Sequence, residues 1–177
     1  MADVSSIFKS NFSSFITTLK DSSLDDRDKS LTSQYLCQDE TQKVYNFDKI
    51  VKEKYPKKQP SSYDALLIED KIIYCIEFKN QKYSDIDTKE VQKKIINGKD
   101  VLDNIFLEYN IQKRDYKFIY CVIYKNHPPK WRRGITKNIV QFELEQYKGR
   151  YFDEVYTNDV QYFTHQYKKY FQKKLSC

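Results

Sequence analysis

Residues 63–79 read YDALLIEDKIIYCIEFK and contain two apolar runs separated by one charged pair. The runs, residues 63–69 and 72–79, are rich in Ile, Leu and Tyr, and Asp70-Lys71 lies between them. Two short apolar runs joined by a polar dipeptide are typical of a β-hairpin. This hairpin is the starting point for the prediction of both fold and function.

The hairpin determines which side chains face each other. With a two-residue loop, Glu69 pairs with Ile72, and counting outward along both strands places Asp64 opposite Glu77. A four-residue loop centred on the same dipeptide gives the same register. Cross-strand Cβ atoms lie roughly 4.5–5.5 Å apart, and like charges so placed destabilise a sheet. We therefore expect a positive charge between the two carboxylates.

Side chains alternate between the faces of a strand, so Glu77, Lys79 and Gln81 point to one side and Phe78 to the other. Two carboxylates, an ammonium group and an amide thus gather at one end of a largely apolar sheet. Mg2+ binds oxygen ligands and keeps several waters, so one or two carboxylates suffice to hold it against a substrate phosphate. The pattern indicates metal-assisted phosphodiester hydrolysis, in which Asp64 and Glu77 bind Mg2+ or Mn2+ and Lys79 assists the attacking water.

An Asp followed on the next hairpin strand by Glu-x-Lys resembles the PD-(D/E)xK phosphodiesterase superfamily, which has the restriction-endonuclease-like fold. The resemblance covers roughly the middle half of the chain, from about Asp48 to the strand near Cys121. It implies a Mg2+-dependent nuclease whose Asp and Glu bind the metal and whose Lys assists the water. Many members carry a polar residue just after the Lys, which Gln81 matches, so Gln81 joins the expected catalytic set.

The chain departs from the family pattern at two places. Tyr63 stands where the family name has Pro. Many members also carry a further acid on an upstream helix, for which Asp39, Glu40 and Asp48 are candidates, with Glu40 slightly favoured as a metal ligand. Without that acid, the resemblance implies weak activity or none. The alternatives are therefore an inert relative that binds nucleic acid or a protein partner, as a subunit or immunity protein, and a purely structural ion pair involving Lys79.

Both faces of the hairpin are apolar, and strands buried on both faces need helices above and below them. We therefore predict an α/β protein with a three-layer α/β/α core and a mixed central sheet, and the family resemblance implies that this core is of the restriction-endonuclease-like type. Apolar spacing predicts helices over residues 3–20 and about 26–37, and Asp87-Thr-Lys-Glu90 resembles the capping box of a long third helix. Residues 116–124 have strong β propensity and complete a right-handed βαβ unit with the hairpin.

The C-terminal part predicts a strand over residues 140–144, a second over residues 150–156 and a last helix capped at Asn158. Gly98, inside the long helix, indicates a bend or close packing. With 177 residues, the chain is expected to form a single domain, residues 1–177, whose core motif region covers about residues 40–125.

No run of about 18 apolar residues is present, which excludes a transmembrane helix, and the N-terminus lacks the blocks of a signal peptide. The four cysteines are widely spaced and form neither a CxxC nor a Cys/His zinc pattern. We therefore expect a protein with reduced cysteines inside the cell, in the cytoplasm or nucleus.

The net charge of +6, with 31 Lys and Arg against 25 Asp and Glu, favours a polyanionic partner. For a nuclease of the type that the chain resembles, we expect this partner to be DNA rather than RNA. Stacking of a base on Trp131 beside two arginines is one way to bind such a partner, although a solvated basic surface is an equal interpretation of each cluster. Cutting both strands of DNA often requires two active sites, so a homodimer is compatible with this function. The residues expected to contact nucleic acid are Lys57, Lys58, Lys130, Trp131, Arg132 and Arg133.

Overall fold

A computed structural model describes residues 3–25, 34–126 and 140–177. Its strands are β1 (Ile16–Thr18), β2 (Leu24–Asp25), β3 (Gln34–Tyr35), β4 (Lys43–Asn46), β5 (Ala65–Glu69), β6 (Ile72–Lys82), β7 (Lys117–Asn126) and β8 (Glu154–Asp159). Its α-helices are α1 (Val4–Asn11), α2 (Leu19–Ser22), α3 (Phe47–Lys54), α4 (Thr88–Glu108) and α5 (Val160–Phe171). Six strands form one sheet in the order β1-β4-β5-β6-β7-β8, and β2 pairs with β3 in a separate ribbon.

The sheet is mixed. The pairs β1–β4, β4–β5 and β5–β6 are antiparallel, whereas the pairs β6–β7 and β7–β8 are parallel. The β5–β6 pair is the predicted hairpin, with Glu69 opposite Ile72 and Ala65 opposite Ile76. Asp70 in the turn has a φ of 52°, a left-handed conformation that Asp tolerates better than most residues. The predicted hairpin register is therefore confirmed from the Glu69–Ile72 pair to the Ala65–Ile76 pair.

Apolar side chains cover both faces of the sheet. On one face, Leu66, Ile73 and Cys75 pack in a cluster with residues of α1, α3 and α4. On the other face, Leu67 and Tyr74 pack in a second cluster with residues of α2 and α5. Because helices lie on both sides of a mixed sheet, the predicted α/β class and the three-layer arrangement are confirmed.

Helix α4 connects the parallel strands β6 and β7, as the βαβ prediction requires. Its N-cap is Asp87, whose carboxylate accepts hydrogen bonds from the backbone N–H groups of Lys89 and Glu90 at 2.8 and 3.3 Å. Further along the helix, a Cβ atom on Gly98 would lie 2.4 Å from Cε1 of Tyr63. The glycine therefore permits close packing of α4 on the residue that precedes Asp64.

The predicted helix over residues 3–20 is wrong beyond Asn11. Helix α1 ends there, a 3-10 turn covers residues 13–15, and residues 16–18 form strand β1. Ile16, Thr17 and Thr18 are all β-branched, and three such residues in a row favour an extended strand over a helix. Only the short helix α2 follows, so the apolar spacing up to Leu19 reflects burial rather than one continuous helix.

Three other sequence predictions need correction. Of the predicted helix over residues 26–37, residues 34–35 are strand β3, and residues 26–33 lie outside the described residues. The predicted strand over residues 140–144 is absent because Phe142 and Glu143 have φ values of 59° and 56°, which break strand alternation. Strand β8 starts at residue 154 rather than 150, and Asp159, not Asn158, caps α5.

The prediction that all cysteines are reduced is wrong for one pair. Cys37 and Cys177 form a disulfide across 140 residues, whereas Cys75 and Cys121 are free and buried. The fold brings the C-terminal segment beside residues 37–39, where the N–H of Ser176 also donates to Asp39 Oδ2 at 2.8 Å. Sequence spacing alone gave no sign of this contact. Among the described residues, no helix has the length and apolar character needed to cross a membrane.

Candidate functional site

A pocket of about 210 Å3 lies where the end of strand β6 meets helix α4 and the segment that enters β2. Three stretches of the chain contribute to its walls: residues 22–25, the hairpin around Asp64, and the first two turns of α4. The lining residues are Ser22, Ser23, Leu24, Asp25, Asp64, Glu77, Phe78, Lys79, Asn80, Glu90 and Lys94. The structure thus brings together Asp64 and Glu77, the predicted metal ligands, and Lys79, the lysine predicted to assist the attacking water.

Asp64 is held by its own backbone and by its side chain. Its N–H donates to the carbonyl of Ile76 at 2.9 Å, and its carbonyl accepts from the N–H of Phe47 at 3.0 Å. Oδ2 accepts a 2.6 Å hydrogen bond from the backbone N–H of Phe78. This last bond fixes the carboxylate against the backbone of β6 and leaves Oδ1 facing Lys94.

Glu77 is completely buried on the α4 face of the sheet. Its Oε1 accepts a 2.7 Å hydrogen bond from Nζ of Lys94 and lies 3.1 Å from Nζ of Lys79. Its Oε2 is also buried but has no hydrogen-bond partner within the part of the chain that the structure describes. A buried carboxylate oxygen without a partner is costly, and it marks a place where a cation or water would gain an interaction.

Lys94 supplies the positive charge expected between the two carboxylates. Its Nζ lies 2.7 Å from Glu77 Oε1 and 3.6 Å from Asp64 Oδ1. The lysine side chain is only 20% exposed. Because it reaches in from α4, it joins the helix to the end of the hairpin.

Lys79 is held on the other side by Glu90. Its Nζ donates a 2.6 Å hydrogen bond to Glu90 Oε1 and lies 3.1 Å from Glu77 Oε1. The side chain of Lys79 is 4% exposed, whereas that of Glu90 is 50% exposed. The ammonium group of Lys79 is therefore fixed between a buried and a solvent-facing carboxylate.

Burial governs the protonation of this cluster. Desolvation first, and then the charge of Asp64, raise the pKa of Glu77 from 4.5 to about 7. Burial also raises the pKa of Asp64, although Lys94 and the Phe78 N–H oppose the rise. Burial alone would lower the pKa of Lys94, but the charges of Glu77 and Asp64 outweigh it and the pKa is raised. Lys94 is therefore a stable cation at neutral pH.

The donor set fits a hard divalent cation. Asp64 and Glu77 offer carboxylate oxygens to one pocket, and Glu77 Oε2 lacks another partner among the described residues. Within those residues, no three His, Cys, Asp or Glu side chains form a group that would hold a metal by themselves. Mg2+ keeps several waters and is often held by one or two carboxylates together with substrate phosphate, so two carboxylates are compatible with it.

Gln81 does not line the pocket, and Asn80 lines it instead. The pairing of β6 with β7 shifts between Lys79 and Lys82, which indicates a β-bulge. A bulge inserts a residue and re-aims the side chains that follow it, so simple alternation fails there. The predicted catalytic role of Gln81 therefore lacks the geometry on which it was based.

The three upstream acids lie in different surroundings. Glu40 is exposed, ion-pairs with Lys20 and does not line the pocket, so the structure does not bring this predicted metal ligand to Asp64 and Glu77. Asp39 is buried, and its carboxylate accepts hydrogen bonds from the backbone of residues 41, 42 and 176. Asp48 is the one whose charge contributes to raising the pKa of Asp64, and it accepts hydrogen bonds from the side chains of residues 59 and 62.

The predicted nucleic-acid contacts are only partly described. Lys57 and Lys58 are exposed in the connection between α3 and β5. Lys130, Trp131, Arg132 and Arg133 lie outside the described residues.

Sequence reasoning missed Lys94, Glu90 and the segment over residues 22–25. A signal for the first two was present, because Glu90 and Lys94 are four residues apart beside the apolar positions Val91 and Ile95. Residues with that spacing share a helix face, and the first turns of a helix that follows β6 start near the end of that strand. Residues 22–25 gave no comparable signal.

Comparisons of the chain with protein-family models, with curated proteins and with solved structures find no match.

Proposed function

We propose that the chain is a nuclease of the PD-(D/E)xK type, which uses Mg2+ or Mn2+ to hydrolyse phosphodiester bonds of nucleic acid, DNA in preference to RNA. The observation that carries the proposal is the buried Glu77 carboxylate, which shares a pocket with Asp64 and Lys79 and has an oxygen without a hydrogen-bond partner among the described residues. The ion pairs of Glu77 with Lys79 and Lys94 involve only Oε1 and, within the described part of the chain, leave Oε2 without an interaction. A bound cation would supply that interaction.

The residues divide into ligands and helpers. Asp64 and Glu77 would hold the metal, with Asp64 oriented by its hydrogen bond from Phe78. The bound metal would polarise the phosphoryl oxygen and acidify a water ligand. Lys79, whose ammonium group is fixed by Glu90, orients the attacking water and stabilises negative charge that develops on the phosphate. The basic composition of the chain favours a polyanionic substrate.

The test is cleavage of single-stranded DNA, double-stranded DNA and RNA with Mg2+, Mn2+ or EDTA. Wild type is compared with Glu77→Ala and Lys79→Met, and the matched controls are Glu69→Gln and Lys71→Met, which change the same hairpin outside the pocket. We expect metal-dependent cleavage that Glu77→Ala abolishes and Lys79→Met reduces by roughly 100-fold or more. The controls should cleave as wild type does. Cleavage that persists in both site variants would refute the assignment.

A second candidate is a catalytically inert protein of the same type that binds nucleic acid or a protein partner. It is favoured by the ion-pair network itself, because Lys79 and Lys94 already neutralise Glu77. Fluorescence anisotropy with labelled DNA and RNA distinguishes the two candidates. Binding without cleavage under every metal condition supports the inert protein.

A further inference from the structure

Helix α4 places a cation on both candidate metal ligands. Nζ of Lys94 lies 2.7 Å from Glu77 Oε1 and 3.6 Å from Asp64 Oδ1, inside the pocket that the two carboxylates line. Lys79 differs from Lys94, because its nearer partner is Glu90 at 2.6 Å and its contact with Glu77 is longer at 3.1 Å. Lys94 is therefore placed to neutralise the pair, whereas Lys79 is shared with a carboxylate at the pocket edge.

A divalent ion held by Asp64 and Glu77 would stand beside this ammonium group. The divalent ion and the Lys94 ammonium group are both positive, and neighbouring like charges in a partly buried pocket repel each other strongly. Lysine carries its charge on a flexible four-carbon stem, and the 20% exposure of the Lys94 side chain leaves it a route towards solvent. Binding of the ion and withdrawal of the ammonium group are therefore coupled.

We propose that Lys94 is a built-in counter-ion that competes with the divalent metal for Asp64 and Glu77 and so sets the metal affinity of the site. This inference rests on the proposed function, because it takes the two carboxylates as the metal ligands. Lys94 is a positioning residue. Its ammonium group holds the two carboxylates together when no metal is bound, and an incoming metal ion must displace that group. Removing its charge should therefore strengthen metal binding, which is the opposite of what loss of a merely structural residue would do.

The experiment is calorimetric titration of the full chain with MnCl2 at pH 7.5, without nucleic acid, for wild type, Lys94→Met and Lys94→Arg. Met has a similar length and high helix propensity, so Lys94→Met removes the charge with little change in shape. Lys93→Met is the matched control, since it removes a charge from the adjacent, exposed position of the same helix. Circular dichroism verifies that each variant is folded.

We expect Lys94→Met to bind Mn2+ more tightly than wild type by roughly tenfold or more. Lys94→Arg, which keeps the charge, should bind like wild type, and Lys93→Met should change the affinity by less than about threefold. Equal or weaker binding by Lys94→Met would overturn the competition while leaving the metal site in place. Absence of Mn2+ binding in wild type and in folded Lys94→Met would overturn the metal site itself and, with it, the proposed function. If Lys94→Met does not fold, Lys94→Gln replaces it with the same expectations.

Discussion

Glu77 combines complete burial with two lysine contacts on one oxygen and none on the other among the described residues. The lysines would favour ionisation, but desolvation and the nearby charge of Asp64 outweigh them and raise the pKa of Glu77 to about 7. The side chain therefore changes its protonation within the neutral range. That behaviour can be measured as a dependence of stability on pH.

The sign follows from proton linkage. Between pH 4.5, the ordinary pKa of Glu, and about 7, the folded protein holds a proton on Glu77 that the unfolded chain has released. The free energy of unfolding contributed by this group therefore falls as pH rises through this interval, by at most about 3 kcal/mol. The raised pKa of Asp64 acts in the same direction.

We predict that Glu77→Gln removes most of this pH dependence. Urea unfolding in EDTA at several pH values between 4.5 and 7.5 measures it, with Glu40→Gln as a control at an exposed carboxylate. Wild type and Glu40→Gln should lose stability across the interval more steeply than Glu77→Gln. Equal slopes for all three proteins would show that Glu77 does not carry a raised pKa.

At the scale of elements, the contact between α4 and the start of β5 depends on Gly98. A Cβ atom there would lie 2.4 and 2.6 Å from ring carbons of Tyr63, which is buried and stacked on Phe47. An alanine would favour the helix by about 1 kcal/mol, but overpacking of a buried ring costs about 1–3 kcal/mol. The packing penalty should exceed the gain in helix propensity.

We therefore predict that Gly98→Ala lowers the free energy of unfolding, whereas Asn104→Ala, at an exposed position of the same helix, does not. Chemical denaturation measures both. Combining Gly98→Ala with Tyr63→Leu should cost less than the sum of the single changes, because the smaller side chain relieves the overlap. A Gly98→Ala protein as stable as wild type would show that α4 and Tyr63 are not so closely packed.

The sequence predicted the elements whose signals are local. Alternation fixed the hairpin register, and Asp87 marked the start of α4 as its N-cap. Strand alternation did not predict that Asn80, rather than Gln81, lines the pocket. The β-bulge that changes the orientation of these side chains has no recognisable signal in the sequence. The strand predicted over residues 140–144 is wrong for a related reason, because the left-handed conformations of Phe142 and Glu143 interrupt an alternating strand.

Contacts that depend on the whole chain were beyond sequence reasoning. Lys94 reaches the carboxylates because α4 packs back over the sheet between β6 and β7. Residues 22–25 line the pocket in a fold whose preceding strand, β1, pairs with β4 at the sheet edge. The pairing of Cys37 with Cys177 is the most distant case. It also bears on the site, because Ser23 in the pocket wall is hydrogen-bonded to both backbone groups of Cys37.

At the scale of the molecule, the disulfide closes a 140-residue loop and should stabilise the fold by restricting the unfolded chain. The loop-entropy relation gives an upper value of about 4–5 kcal/mol for a loop of this size. We predict that dithiothreitol lowers the unfolding midpoint of wild type in urea but not that of Cys177→Ser, since Cys75 and Cys121 are already free. Thiol titration of the denatured, unreduced protein should find two thiols in wild type. Four thiols, or equal midpoints of wild type with and without reductant, would contradict the disulfide. In that case only the hydrogen bonds between Ser23 and Cys37 would connect residue 37 to the pocket wall.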